Sequence, residues 1–183
     1  MSNTAANMPR MTAAEYLRST AETEKPTELL NGEVVMMASP STEHQRLVRE
    51  ITYELETYIR KKGGSCEVFH APYDVILNDE NVVQPDVLVV CDPEKIGKQN
   101  CSGAPDFVVE ITSSDWQTDY RDKLMLYRAA GVREYWIVDT QMKKVLAYRF
   151  AQEPNVLSLY EWTECVPVGI YGGDISICIH DLL

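Results

Sequence analysis

The sequence predicts an α+β fold in which a mixed β-sheet of six or more strands is flanked by two main helices. Three observations predict it. Short Val- and Ile-rich runs are bounded by turn residues, as buried strands are. Two longer segments, residues 40–62 and 115–130, have the length and boundaries of helices. The length of 183 residues suits one domain with a substantial core.

The first elements carry capping and turn signals. Thr12-Ala-Ala-Glu15 has the form of a capping box, so a short helix is expected to begin there. Asn31-Gly32 separates two apolar runs, which predicts a tight hairpin. Residues 1–10 are mostly small and polar, and we expect them to be a loose tail. Residues 11–183 are then expected to form the single domain.

The long helix over residues 40–62 is expected to stop at Gly63-Gly64. Its apolar residues recur at helical spacing, and His44 lies one turn ahead of Val48 on the same stripe. His44 should therefore point inward, or toward whatever the start of the helix faces. The second long helix, residues 115–130, is expected to end at Gly131.

Strands account for the remaining apolar runs. The run over residues 81–90 carries Asp86, and the run over residues 105–112 carries Glu110. A polar loop is expected between them. A hairpin is predicted over residues 144–162, turning around Glu153-Pro-Asn155. The other predicted strands are residues 67–70, 73–77, 133–139 and 175–179.

Composition limits the classes of function. The net charge is −11, which argues against a broad nucleic-acid-binding surface, because such surfaces are usually basic. The five cysteines are widely spaced and form no CxxC motif, so we expect reduced, buried thiols in a cytoplasmic protein. No apolar stretch reaches the length of a membrane span, so no membrane association is expected.

Two acidic residues lie within the Val-rich runs. Charged residues are disfavoured in buried strands unless they are paired or bind a cation, so Asp86 and Glu110 predict a metal site. Mg²⁺ needs only one or two protein carboxylates, and the carbonyl of Ile111 is a further candidate ligand. Each acid also has a structural alternative: Pro85-Asp86 could form a turn, and Glu110 could cap the loop that follows its strand.

Lys123 lies on the helix after the Glu110 run, with Asp119 and Tyr127 at four-residue spacing on the same face. A lysine beside a metal site can orient the attacking water or hold a phosphate. The alternative is an exposed ion pair between Lys123 and Asp119. Replacement of Lys123 by alanine is expected to leave folding almost intact.

Three further residues are candidates for supporting roles. Glu28 would hold a second metal or orient Lys123, unless it is an exposed strand residue. His44 would contact phosphate or a ligand, unless it caps its helix. Gln84 would share a strand face with Asp86, unless it is a polar edge residue. Aromatic residues of the second helix are candidates for stacking on bases or for the core: Trp116, Tyr120 and Tyr127.

Pro85-Asp86 followed by Glu110-Ile-Thr112 resembles the PD-(D/E)XK nuclease pattern, with Thr112 in place of the usual lysine. The chain is similar to the Uma-two (Uma2) family, which shows that departure and carries the lysine on the next helix. Four further segments of the chain resemble conserved blocks of that family in the same order: Glu28-Leu-Leu-Asn-Gly-Glu33, Ala38-Ser-Pro-Ser-Thr-Glu-His44, Lys123-Leu-Met-Leu-Tyr127 and Gly131-Val-Arg-Glu-Tyr-Trp-Ile-Val-Asp139. The order and spacing of these blocks make the resemblance specific.

The resemblance implies a restriction-endonuclease-like core and a DNA substrate. It implies Asp86 and Glu110 as ligands of Mg²⁺, with Mn²⁺ as a substitute, and Lys123 as the migrated catalytic lysine. The leading hypothesis is therefore a Mg²⁺-dependent endonuclease. The alternative is a weak or inactive relative that acts as a binding module, which the charge of −11 favours. The predicted hairpin over residues 144–162 is a candidate surface for a homodimer.

An active nuclease with this net charge needs a local neutral or basic rim around the Asp86 site. The expected contributors are Arg46 and Arg49 of the first long helix and Arg121 and Lys123 of the second.

Overall fold

The computed structural model describes residues 10–20, 26–112, 118–151 and 157–183. Residues 1–9 of the predicted tail and the turn predicted at Glu153-Pro-Asn155 lie outside these ranges. The helices are α1 (Ala13–Thr20), α2 (Thr42–Lys62) and α3 (Leu124–Ala130), and a π-helical turn, Thr118–Lys123, leads into α3. None of the helices in the described ranges has the length and apolar character needed to cross a bilayer.

The strands of the first half of the chain are β1 (Thr27–Leu30), β2 (Glu33–Met36), β3 (Glu67–His70), β4 (Asp74–Asn78), β5 (Asn81–Val83) and β6 (Val87–Val90). Those of the second half are β7 (Asn100–Ser102), β8 (Phe107–Thr112), β9 (Glu134–Asp139), β10 (Lys144–Arg149), β11 (Leu157–Glu161), β12 (Cys165–Pro167) and β13 (Ser176–Cys178).

The fold is mixed α+β, as predicted, and its central sheet has six strands in the order β11-β10-β9-β8-β6-β3. Within it, β8 and β9 are parallel and the other neighbours are antiparallel. A second sheet of five strands, β2-β1-β5-β4-β7, and a separate β12–β13 pair accompany it. The second sheet includes β7, which lies where the sequence predicted only a polar loop.

The six-stranded sheet is covered on both faces. Val87, Val109 and Val138 face α2 and the β12–β13 pair. The alternate residues, including Leu88 and Val108, face α3 and the five-stranded sheet. Because successive residues of a strand point to opposite faces, this alternation decides which side chains of β6 and β8 lie on the α3 side.

The local signals that predicted helix and turn boundaries are present. Thr12 and Glu15 exchange the hydrogen bonds of a capping box at the start of α1. Asn31 and Gly32 form the β1–β2 turn with φ angles of 52° and 78°, which are left-handed values that this turn requires. Gly63 ends α2 in the same left-handed region, with φ of 67°.

The cysteines contradict the expectation of five reduced thiols. Cys66 is bonded to Cys91, Cys165 is bonded to Cys178, and Cys101 is free and buried. Cys165 and Cys178 are directly opposite each other in the β12–β13 register, so strand pairing brings them together. The cysteines therefore no longer support the prediction of a cytoplasmic location.

Candidate active site

Asp86 and Glu110 meet at the end of the six-stranded sheet. Val87 of β6 is paired with Val109 of β8, so one further step along this antiparallel register brings Asp86 opposite Glu110. Opposite residues of an antiparallel pair share a face and lie within side-chain reach of each other. Both carboxylates are buried, with 8% and 3% of their residues exposed. The structure thus brings together the two acids that the sequence singled out.

The chain leaves one sheet and enters the other at Asp86. The sequence predicted one continuous strand over residues 81–90, and this was wrong: β5 belongs to the five-stranded sheet and β6 to the six-stranded sheet. Pro85 and Asp86 lie in the short crossing between them. Proline has no amide hydrogen to donate to a ladder, so β5 ends before Pro85, while the Asp86 carbonyl accepts a 3.2 Å hydrogen bond from the Ala71 amide at the start of β6.

Asp86 is fixed through one of its carboxylate oxygens. Oδ2 accepts a hydrogen bond of 2.7 Å from the Ile111 amide and lies 3.0 Å from Nε2 of His44. Ser41, the N-cap of α2, accepts a 3.1 Å bond from the His44 amide and so fixes the first turn of the helix. His44 points inward, as its place on the apolar stripe predicted, and contacts Asp86.

Lys123 is buried between two carboxylates. Its Nζ lies 3.0 Å from Oε1 of Glu110 and 3.0 Å from Oε1 of Glu28. Only 4% of the residue is exposed, so Lys123 is not the surface residue that the alternative of an exposed ion pair requires. The side chain of Asp119 is outside the described part of the structure. The π-helical turn that ends at Lys123 is a rare conformation that often occurs at functional sites.

Glu28 lies on β1, beside the inward-facing Leu30, and it too is buried, with 4% exposed. Its Oε1 accepts a 2.8 Å bond from the amide of Gln84 in addition to the contact with Lys123. The side chain of Gln84 turns to Asp74 instead, at 2.8 Å. Gln84 therefore supports the site through its backbone, which side-chain patterns in the sequence do not reveal.

Tyr127 contributes a hydroxyl group to the site. It donates a 2.6 Å hydrogen bond to Oε1 of Glu110. Burial and the nearby Glu110 carboxylate raise the pKa of Tyr127 well above its ordinary value, so the phenol remains a neutral donor. The ring is fully buried, so Tyr127 cannot stack on bases. The side chains of Trp116 and Tyr120, the other stacking candidates, are outside the described residues.

The described side chains of the site carry more negative than positive charge. Glu28, Asp86 and Glu110 are three buried acids, whereas Lys123 is one buried base beside them. Buried charges need compensation, and a bound cation is a common solution. Among the described residues, no three acidic, histidine or cysteine side chains form a ready-made metal cage. Mg²⁺ fits this donor set nevertheless, because it usually takes one or two carboxylates and keeps several waters.

The basic rim differs from the expectation. Lys123 is buried and cannot be part of it. Arg46 and Arg49 are exposed, but they lie on the side of α2 that faces away from the inward stripe of His44 and Leu47. Arg121 is also exposed, with its guanidinium 4.0 Å from Asp122. A continuous basic rim is therefore not formed by these four residues.

Comparison with known proteins agrees with this architecture. A family model, Uma2, described as "Putative restriction endonuclease", matches residues 13–169. Two uncharacterised proteins of Synechocystis sp. are similar to the chain. The protein sll1609 is 27% identical over 76% of this chain and 80% of its own length. The protein slr1290 is 28% identical over 78% of this chain and 76% of its own length.

A solved structure has the same fold. It is a protein from Anabaena variabilis described as "a putative nuclease belonging to DUF820", with a TM-score of 0.77 and 22% identity. The alignment covers 94% of this chain and 97% of that protein, so the shared fold includes both sheets and the helices around them.

Proposed function

Because this chain belongs to the Uma2 family, we propose that it is a metal-dependent endonuclease that hydrolyses phosphodiester bonds of DNA. The observation that carries the proposal is the position of Lys123. The lysine absent at Thr112 is replaced by an ammonium group that comes from the next helix and lies 3.0 Å from Glu110. The buried pair of acids and this lysine reproduce the three charged groups of the nuclease pattern.

Asp86 and Glu110 are the residues that would hold Mg²⁺, or Mn²⁺ in its place, with the Ile111 carbonyl as a further candidate ligand. In the described structure, the side-chain contacts of Asp86 all involve Oδ2, which leaves Oδ1 as the candidate ligand atom. When bound, the cation would lower the pKa of a coordinated water and offset negative charge on the phosphate. The Ile111 amide keeps Asp86 fixed against the neighbouring strand.

Lys123 places a positive charge beside the acids. The carboxylates of Glu28 and Glu110 hold its ammonium group from two sides, so the position of the charge is set before substrate arrives. Such a pre-positioned charge stabilises the negative charge that develops on a phosphate, or orients the attacking water. For Glu28, the direct contact with Nζ supports the role of orienting Lys123 over that of holding a second metal.

A second candidate function is a binding module with weak or no catalysis. The net charge of −11 supports it, since DNA affinity comes largely from phosphate neutralisation. The outer strand of the β10–β11 hairpin also exposes Leu157 and Leu159, at 46% and 53%. Exposed apolar residues on an edge strand suit a protein contact, and a homodimer through this hairpin remains part of the proposal.

A plasmid-cleavage assay separates the two functions. Supercoiled plasmid and single-stranded DNA are incubated with purified protein in Mg²⁺ or Mn²⁺, with and without EDTA. We expect metal-dependent nicking that falls on the order of a hundredfold or more in Asp86→Asn and Glu110→Gln variants. Asp174→Asn, an exposed acid paired with Lys62, is the matched control and should cleave as the wild type does.

Two results would count against an endonuclease. A folded wild-type protein that cleaves neither DNA in either metal would favour the binding module. Equal cleavage by the wild type and the Glu110→Gln variant would assign the activity to a contaminating nuclease.

A further inference from the structure

His44 is the side chain that α2 contributes to the carboxylate cluster. It lies in the first turn of the helix, and only 9% of the residue is exposed. Its Nε2 is 3.0 Å from Oδ2 of Asp86. The other ring nitrogen, Nδ1, is buried and has no hydrogen-bond partner in the described structure. The two nitrogens therefore have very different surroundings.

The position of Asp86 determines which nitrogen donates the hydrogen bond. A carboxylate oxygen only accepts hydrogen bonds, so Nε2 must donate to Asp86. Nε2 is therefore the nitrogen that holds Oδ2 of Asp86. Its contact with Asp86 is a directed hydrogen bond.

We infer that His44 is a positioning residue that, together with the Ile111 amide, occupies Oδ2 of Asp86 and reserves Oδ1 for the cation. This inference rests on the proposed function, because it concerns the same metal site. Two donors on one oxygen, one from β8 and one from α2, fix the rotation of the carboxylate group. Groups that orient a metal-ligating side chain contribute to metal affinity although they do not touch the metal.

The test is Mn²⁺ binding, measured from the electron paramagnetic resonance signal of free Mn²⁺ without any substrate. His44→Leu removes the donor, whereas His44→Gln keeps an amide N–H at a similar reach. We expect His44→Leu to weaken Mn²⁺ binding about 10- to 100-fold and His44→Gln to recover most of the loss. His70→Leu is the matched control and should bind as the wild type does, since the His70 side chain is exposed and its one hydrogen bond among the described residues is to the Ala71 carbonyl.

Asp86→Asn and the wild type distinguish the possible failures. If the wild type binds Mn²⁺ and Asp86→Asn does not, but His44→Leu binds normally, the inference fails and the proposed function stands. Equal weakening by His44→Gln and His44→Leu would also overturn it. If the wild type does not bind Mn²⁺, both the inference about His44 and the proposed function fail. Nitrogen NMR of the wild-type imidazole is an independent check that needs no variant, and an Nε2 atom without a proton to donate to Asp86 would overturn the inference.

Discussion

Replacing Lys123 by methionine should strongly destabilise the protein in the absence of metal. Methionine fills much the same volume but removes the positive charge between Glu28 and Glu110. Both carboxylates are almost fully buried, so water cannot replace the lost ammonium group. The sequence predicted that a change at Lys123 would leave folding almost intact. The burial of Lys123 between two carboxylates predicts a large loss of stability instead.

The magnitude follows from the burial of the pair. Removing one partner of a buried ion pair costs about 3–5 kcal/mol, because the other charge is left unpaired. Here two carboxylates lose the same partner. Lys62→Met is the matched control: its ammonium lies 3.3 Å from Asp174 with 56% of the side chain exposed, and exposed pairs contribute roughly 0–1 kcal/mol.

Urea unfolding in EDTA, followed by tryptophan fluorescence, measures the free energies of unfolding. Glu28→Gln should then partly rescue Lys123→Met, because it removes one of the unpaired charges. We expect a coupling of roughly 0.5–3 kcal/mol between the two substitutions. A loss below about 1 kcal/mol in Lys123→Met, or full additivity of the pair, would refute the reasoning that Lys123 balances buried charge.

Three further outcomes are expected. Gly169→Ala should cost about 1–3 kcal/mol in thermal melting, because a Cβ there would lie 2.7 Å from Nε of Arg149. The control is Gly64→Ala, whose Cβ would meet nothing closer than 3.5 Å. Cys165→Ser should lower stability by about 3 kcal/mol through loss of the disulfide, and a reductant should abolish the difference in urea unfolding. Burial raises the pKa of Cys101 to about 11, so iodoacetamide should label this thiol at neutral pH only after unfolding, as mass spectrometry would show; labelling of the native protein would contradict this.

Much of the fold was accessible from local sequence signals. The capping box at Thr12, the turn at Asn31-Gly32 and the stop at Gly63 each act through a few neighbouring residues, and each was predicted correctly. The division into two sheets was not predicted, because the run over residues 81–90 is equally apolar on both sides of Pro85. Only the long-range partners of β5 and β6 distinguish the two halves.

The contacts of the candidate site were also only partly predictable, because many of them join residues that are distant in sequence. Asp86 and Glu110 were notable as acids among valines, and Lys123 was notable from its place on the helix that follows Glu110, to which the family resemblance added the role of the migrated lysine. Lys123 is buried against Glu28, which is distant in sequence and lies in the five-stranded sheet. The hydroxyl of Tyr127 and the amide of Gln84 were not predicted as contacts of the acids. A tyrosine on a helix usually packs in the core, and a backbone amide carries no side-chain signature.

The crossing of the chain at Asp86 has a consequence for biosynthesis. Glu28 comes from one sheet, Glu110 from the other, and Lys123 joins them from a segment made later by the ribosome. The five-stranded sheet, whose strands all precede residue 103, brings only Glu28, whereas the six-stranded sheet that carries Glu110 includes β9, β10 and β11, which follow Lys123 in the chain. The contact of Lys123 with both carboxylates is therefore complete only when the two sheets have formed and packed together.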